Sequence, residues 1–462
     1  MERYAGKTLK NASRSAGRQT ANRPLHLRQQ DKDACMNLSR MSVENYRAFN
    51  EPATLSMAPL TLIFGQNNAG KSSLARLLPS IANSCSVNER FSFIPVTTSD
   101  WETNGRDFLY GNGKSPTLRL KLWFQQPPDI QYKATYEISL LADREVSFVS
   151  NLIIELGDRI LAELIWSAED ISKSHPHRNR YRMKSSDGEQ DAIIEFDGLV
   201  PRHQGETSAC KLALDNLALA LDTFADRVHW LGPLRHIPDR IERRAFRGVV
   251  LNSTGKQATQ VLAASWKSKS PLFGRVSGWF EQALGQCLVC IDGAFDGDEL
   301  FSIALSPTPT SSIRVPIADS GAGIAQVLPI IVLGMLALEG ALGEAPILVF
   351  ENPELHLHDS LHDDIGRFLA QVSTAACNPI VIAETHSENV LLAIELAVAK
   401  KEIDSDKVAI NWVRATHEGS AVEAVSLDGT GTPSSQWPRE AFETASNQAK
   451  KLFILRQGSS GR

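Results

Sequence analysis

Six cysteines in 462 residues, scattered along the chain, leave no disulfide framework to read and suit a reducing compartment. The single C-x-x-C, Cys287 and Cys290, lies in Cys287-Leu288-Val289-Cys290-Ile291, which reads as a buried strand. Positions i and i+3 of a strand face opposite sides, so these thiols would not chelate together. No second C-x-x-C completes a zinc site, and core packing is the better account. Long apolar runs are lacking as well. The longest, Val327 to Leu338, contains Pro329 and follows Gln326; it is too short to span a bilayer and reads as a buried helix. There is no apolar signal-peptide core, no internal repeat and no sustained heptad pattern. Charge of one sign is lacking too: the formal net charge is −5, which argues against a protein that coats nucleic acid, while a local basic face stays open. What is present, 42% hydrophobic and 22% charged residues, is the composition of a soluble globular protein, expected in the cytoplasm, with room for one large domain or roughly two to three ordinary ones.

Residues 1–37 differ from the rest. Arg3, Lys7, Lys10, Arg14, Arg18, Arg23, Arg28 and Lys32 face few acids and no apolar periodicity, so this stretch reads as a disordered basic tail. A nucleic-acid arm, a targeting peptide and an upstream extension with the start at Met36 or Met41 compete as explanations. The folded part, 38–462, divides into a β-rich part (38–165), an insertion and helical part (166–310) and a final part (311–462). In the first, Leu118-Arg119-Leu120-Lys121-Leu122 and Thr135-Tyr136-Glu137-Ile138 alternate as half-buried antiparallel strands do. The polar, basic stretch 168–190 reads as a loop or insertion. Beyond Arg314, apolar strands at Ile347–Phe350, Pro379–Ala383 and Val408–Val413 alternate with helices at Asp359–Val372 and Glu388–Lys400, which implies a parallel sheet wrapped by helices.

The stretch that carries chemistry is Gly65-Gln66-Asn67-Asn68-Ala69-Gly70-Lys71-Ser72, which fits G-x-x-x-x-G-K-[ST]. It follows the apolar strand Leu60–Phe64 and opens a helix at Ser73-Leu74-Ala75. Glycines let a backbone curl its N–H groups around anionic oxygens, and the helix start adds the positive end of a dipole. Lys71 would reach the β and γ phosphates of a nucleotide and the Ser72 hydroxyl would ligate Mg²⁺. A second apolar strand, Ile347-Leu348-Val349-Phe350, ends in Glu351, a carboxylate suited to the Mg²⁺ beside Ser72; Asn352-Pro353-Glu354 follows.

With Asn45-Tyr46-Arg47-Ala48-Phe49, Trp230-Leu231-Gly232-Pro233-Leu234-Arg235, Asp319-Ser320-Gly321-Ala322-Gly323, Glu351-Asn352-Pro353-Glu354-Leu355-His356-Leu357-His358 and Glu384-Thr385-His386-Ser387, the chain resembles ABC-type ATPases of the SMC and recombination-repair group. Within that group it is similar to small stand-alone AAA-family ATPases related to the OLD (overcoming lysogenization defect) family that lack a nuclease domain. Gln436-Trp437-Pro438 and a following helix also fit. The resemblance implies an α/β P-loop NTPase fold of the ABC-ATPase head type: a mixed sheet wrapped by helices, an antiparallel β lobe and a helical insertion. It implies ATP and Mg²⁺ as cofactors, bound by Gly65 to Ser73, with Ser72 and Glu351 at the metal. Ser320, Gly321 and Gly323 would form the signature loop that caps the γ-phosphate bound by another subunit. His386 would be the switch histidine, and Gln125 or Gln126 the Q-loop glutamine. His356, His358 and His362 then occupy D-loop and helix positions rather than a metal cluster.

One departure matters. Such heads place Asp then Glu at the strand end, whereas this chain has Glu351 then Asn352. Asparagine can orient a water but cannot accept its proton, so Glu354 is the candidate base and turnover is expected to be slow. The expected partners are a second copy of the chain in an ATP-dependent dimer or larger oligomer, a separately encoded effector such as a nuclease, and DNA, with no membrane involved. A direct DNA-processing role like that of OLD nucleases is the alternative, but only about 50 residues follow the Val408 strand, fewer than a nuclease domain needs. No N-K-x-D supports a GTPase, and no membrane segment supports a transporter.

Overall fold

The computed structural model describes residues 36–434 apart from 87–90, 97–107, 113–114, 127–129, 142–145, 168–177, 204, 206–207, 245–250 and 294–298. The basic tail and the segment around Gln436 therefore lie outside the described residues.

The chain opens with β1 (Asn37–Glu44), β2 (Ala53–Ser56) and β3 (Leu60–Gly65), then the helices α1 (Lys71–Ala75) and α2 (Leu77–Asn83). A meander follows: β4 (Thr117–Gln126), β5 (Ile130–Leu141), β6 (Val146–Leu156), β7 (Arg159–Trp166), β8 (Arg178–Ser185), β9 (Gly188–Asp197) and β10 (Val200–Arg202). Next come α3 (Ala209–Arg227), β11 (Val228–Leu231), β12 (Glu242–Arg243), α4 (Ala258–Ser268), α5 (Pro271–Leu284), β13 (Cys287–Asp292), β14 (Leu300–Ser306), β15 (Val315–Pro316) and α6 (Ala322–Leu338). The last stretch is β16 (Ile347–Glu351), α7 (Asp359–Ser373), β17 (Ile380–Thr385), α8 (Glu388–Ala399), β18 (Val408–Thr416) and β19 (Gly419–Val425).

Two large sheets result. One is antiparallel and nine-stranded, in the order β10-β9-β8-β7-β6-β5-β4-β1-β2. Its strands alternate: Leu118, Leu120, Leu122 and Phe124 of β4 and Tyr132, Ala134, Tyr136 and Ile138 of β5 are buried on one face, in the same core as the apolar residues of α3. The Tyr132 hydroxyl donates to the Ala213 carbonyl of α3 at 2.6 Å. The other sheet runs β11-β16-β17-β3-β18-β19, parallel except for β19. Its β3 and β16 are buried at every position, because helices or strands cover both faces. Ile63, Val349, Ile382 and Val413 join the core shared with the antiparallel lobe, while Leu62, Phe64, Leu348, Phe350, Val381 and Ala383 join the core beneath α4 to α8. This is the α/β P-loop NTPase architecture: a mixed sheet wrapped by helices with an antiparallel β lobe beside it.

Several details depart from the sequence reading. The stretch read as a loop at 168–190 contains β8 and the start of β9, which extend the antiparallel sheet past residue 165 to Arg202. Among the described side chains of β8, Tyr181 and Met183 point inward, and Arg180, Arg182 and Lys184 alternate with them and obscure the pattern. The antiparallel edge strand β19 was also not anticipated. The C-x-x-C lies in β13 as expected. Cys287 belongs to a small cluster with Val289 and Ala304, whereas Cys290 packs against the larger core on the opposite side. Among the described residues no helix is long and apolar enough to cross a membrane.

Candidate nucleotide site

The loop joining β3 to α1 is shaped by its neighbours. Gly65 has φ +152°, and a Cβ there would lie 2.0 Å from the Val413 carbonyl oxygen of β18, so this position admits only glycine. The Asn45–Phe49 turn lies against the other end of the loop, where Gly70 meets Ala48 and Phe49. Asn45 anchors that turn through Nδ2, which donates to the Ser115 and Thr117 carbonyls at 3.0 and 2.7 Å. Lys71 is buried, and its Nζ folds back to donate to the Gly65 and Gln66 carbonyls at 2.9 and 2.5 Å. Burial lowers its pKa, against the opposing pull of Glu384 and Glu354. A buried ammonium held by carbonyls inside a loop of this shape can exchange those partners for anionic oxygens, which would pair with it better than the carbonyls do.

Parallel pairing sets the carboxylates. Glu351 of β16 lies in register with Glu384 of β17, whose own neighbour is the phosphate-loop strand β3. Glu351 is fully buried and saturated: Arg76 Nε donates to its two oxygens at 2.9 and 3.0 Å, Arg76 Nη2 at 2.7 Å, and Trp230 Nε1 at 2.7 Å. Glu384 differs. Ser72 Oγ donates to its Oε1 at 2.6 Å, while Oε2 is buried with no hydrogen-bond partner among the described residues. Burial pushes its carboxyl up to about 7; the Ser72 hydrogen bond opposes the shift and Glu351 adds to it. Glu354 Oε1 accepts from Thr385 Oγ1 at 2.7 Å and from the His386 amide at 3.0 Å, and its Oε2 is likewise unpartnered. Asn352 sits at φ +44°, with its amide donating to the Glu384 carbonyl at 2.8 Å and its Oδ1 unpartnered. The His386 ring is exposed at the rim, and partial desolvation followed by the Lys71 charge lowers its pKa.

The signature segment is reached from a different side. Gly321 and Ala322 are exposed at the start of α6, and a Cβ on Gly323 would lie 2.4 Å from the His356 carbonyl oxygen. Ser320 Oγ donates back to the Ile317 carbonyl at 2.8 Å. Among the described residues no hydrogen bond joins 320–323 to 65–73. The structure thus brings Lys71, Ser72, Glu351, Glu354 and His386 to one rim and leaves Gly321 exposed between the half-buried Ser320 and Gly323. Arg235 links the two. It is buried, its amide donates to Gln326 Oε1 of α6 at 3.1 Å, and Gln326 Nε2 donates to its carbonyl at 3.0 Å. Its Nη2 donates to the Glu351 and Asn352 carbonyls, its Nε and Nη1 have no partner among the described residues, and burial brings its pKa down to about 10.

Gln125 pairs with Asn37 and Glu44 pairs with Arg119, so Gln125 lies at the far end of the eight-residue β1 from the turn that packs on Gly70, about 23 Å along the strand. It does not reach the phosphate loop. His358 caps α7 through Nδ1, which accepts from the Ser360 amide, and His362 Nδ1 meets Ser387 Oγ at 2.8 Å. Among the described residues no group of three or more His, Cys, Asp or Glu side chains forms a metal cluster. For Mg²⁺ at a nucleotide the requirement is different, because phosphates and waters supply most ligands. The Ser72 hydroxyl and the unpartnered oxygen of Glu384 are hard oxygen donors beside Lys71, and they fit such an ion.

Sequence reasoning assigned no role to Glu384, Arg76 or Thr385. The first had a signal: Ile380–Glu384 is an apolar strand ending in a carboxylate, the same pattern as Ile347–Glu351.

Residues 36–193 match the family model of an AAA ATPase domain. No curated protein matches the chain. Among solved structures it is similar to an SMC head bound to the C-terminal winged-helix domain of ScpA, at 11% identity and TM-score 0.45, covering 84% of this chain and 98% of that one. The SMC head domain from Thermotoga maritima is similar at 12% identity and TM-score 0.41, covering 84% and 98%. An Smc head domain from Pyrococcus furiosus, with an extended coiled coil and bound to the C-terminal domain of ScpA, is similar at 11% identity and TM-score 0.41, covering 90% and 99%. The G-x-x-x-x-G-K-S loop lies inside the segment that matches the AAA ATPase domain model, on a P-loop NTPase fold.

Proposed function

We propose that this chain is an ATP-binding and slowly ATP-hydrolysing molecular switch. The observation that carries the reading is the convergence of Lys71 and Ser72, at the end of β3, with buried carboxylates at the ends of β17 and β16, of which Glu384 has an unpartnered oxygen. In this reading Gly65 to Ser73 wrap the phosphates, and Lys71 exchanges its carbonyl partners for β and γ oxygens. Ser72 and a carboxylate at the end of a neighbouring strand would hold Mg²⁺, which when bound neutralises charge between those phosphates. The unpartnered Oε2 of Glu354 accepts the proton of the water that attacks the γ-phosphorus as the bond to the β–γ bridging oxygen breaks. Asn352 orients that water without taking its proton, which is why turnover is slow. His386 reports the γ-phosphate to Glu354 through its amide.

The open signature loop completes the site in trans. Ser320, Gly321 and Gly323 of a second copy would close over the γ-phosphate, so ATP holds two or more copies together. The exposure of Gly321 and Ala322 supports this. Such an assembly would control a separately encoded partner, such as a nuclease, in DNA repair or anti-phage defence; the motif resemblance points to that setting. The test is phosphate release from purified protein with Mg-ATP, beside Lys71→Ala, with and without duplex DNA. Turnover abolished by Lys71→Ala supports the reading, and no nucleotide binding overturns it. A strong rise with DNA would favour an OLD-like protein that binds DNA directly.

A further inference from the structure

We propose that Glu384, rather than Glu351, is the carboxylate that meets the Mg²⁺ of bound nucleotide beside Ser72, and that Glu351 serves as a structural anchor held by Arg76 and Trp230. The inference rests on the nucleotide site proposed above and concerns which side chain does the work there.

Three observations carry it. First, the Ser72 hydroxyl donates to Glu384, at 2.6 Å. A serine that offers a lone pair to a cation keeps its proton for a neighbouring acceptor, so the carboxylate that takes this hydrogen bond stands next to the ion's place. Second, Glu384 is 1% exposed and its Oε2 has no hydrogen-bond partner among the described residues. A buried carboxylate oxygen left without a donor is costly, and a cation or its water shell would satisfy it. Third, Glu351 has no oxygen to spare. Arg76 approaches both of its oxygens and Trp230 takes one of them, while the Arg76 guanidinium already neutralises its charge. For Glu351 to reach a cation it would have to abandon a buried ion pair. Strand order agrees with this: β17, which carries Glu384, lies directly beside the phosphate-loop strand, and β16 is one strand further out. The sequence pattern of a carboxylate ending an apolar strand occurs at both positions, and only the hydrogen bonding separates them.

The experiment titrates a fluorescent ATP analogue onto the full chain with and without Mg²⁺, and counts Mn²⁺ retained in the nucleotide complex by electron paramagnetic resonance. Glu384→Gln keeps an acceptor for Ser72 and nearly the same shape. It should lower metal affinity in the complex by about tenfold or more without weakening metal-free nucleotide binding. Glu384→Asp should recover part of the loss. Glu351→Gln should lower the melting temperature and, below it, keep the metal dependence of the wild type. If Glu351→Gln alone does not fold, a double variant with Arg76→Gln replaces the ion pair by neutral hydrogen bonds and is measured in its place. Wild-type metal dependence in Glu384→Gln, or its loss in a folded Glu351 variant, overturns the inference while leaving the nucleotide site standing. A wild type that binds no nucleotide, or Lys71→Ala binding as well as wild type, brings down both.

Discussion

The antiparallel lobe and the rim of the parallel sheet use charge in opposite ways. In the lobe, charged side chains stay in solvent and pair across strands: Arg119 bridges Glu44 and Glu137 at 2.8 and 2.9 Å, and Lys133 meets Glu155 at 2.7 Å. The faces turned inward are apolar, and the tyrosines among them bond backbone carbonyls, as Tyr136 does to Leu199 at 3.0 Å. At the rim, Lys71, Glu351, Glu354, Glu384 and Arg235 are all buried, and several of their polar atoms lack partners. A lobe that only has to be stable keeps its charges wet and its interior dry. A rim that buries incompletely paired charges gives up stability, and such sites are where ligands and chemistry are found.

The largest expected effect separates the two kinds of ion pair. Arg76→Met strands the buried Glu351 carboxylate and should cost about 3–5 kcal/mol in urea unfolding. Arg119→Met in the lobe should cost at most about 1 kcal/mol. Equal costs would break the comparison. Next, Mg-ATP at about one hundred times its Kd should stabilise the protein by about 2.7 kcal/mol, and chelating the metal should reduce the gain. Hydrogen exchange should locate the added protection at the rim strands rather than in the lobe; uniform protection would count against a rim held short of partners. Tyr136→Phe leaves the Leu199 carbonyl without its donor and should cost about 1 kcal/mol. Nucleotide affinity should not change with it, and a change would show that the lobe is not a passive support.

The smallest effect concerns pH. Burial raises the Glu395 carboxyl of α8 to about 7 from an ordinary 4.5. The folded protein therefore holds a proton there that the unfolded chain has released, and stability from this group falls as pH rises through that window and stays lower above it. Glu395→Gln should raise the melting temperature at about pH 8 and leave it unchanged at about pH 4. A gain at both values would point to packing instead of charge.

Much of this protein is legible in its sequence because it is locally encoded. The apolar run Leu60–Phe64, the glycines of the loop and the helix after Lys71 depend on neighbours in the chain, and so do the alternating strands β4 and β5. The loop that became β8 and β9 was missed for a physical reason: on an exposed sheet face Arg and Lys are as acceptable as in a loop, and two inward residues, Tyr181 and Met183, are a thin signal. The helix of Val327–Leu338 could be read from hydrophobicity, but its attachment to Glu351 through Gln326 and Arg235 could not.

The sequence by itself determined that a phosphate loop opens a helix, that apolar strands end in carboxylates, and that the chain alternates strands with helices. Only the tertiary structure decided which carboxylate faces the loop. Glu351 and Glu384 are 33 residues apart and end similar strands. Parallel registry sets them side by side, and side chains from Arg76, Trp230 and Ser72 give one a full complement of donors and leave the other an open oxygen. Hydrogen bonds between residues distant in sequence depend on how elements pack, and no local pattern records them.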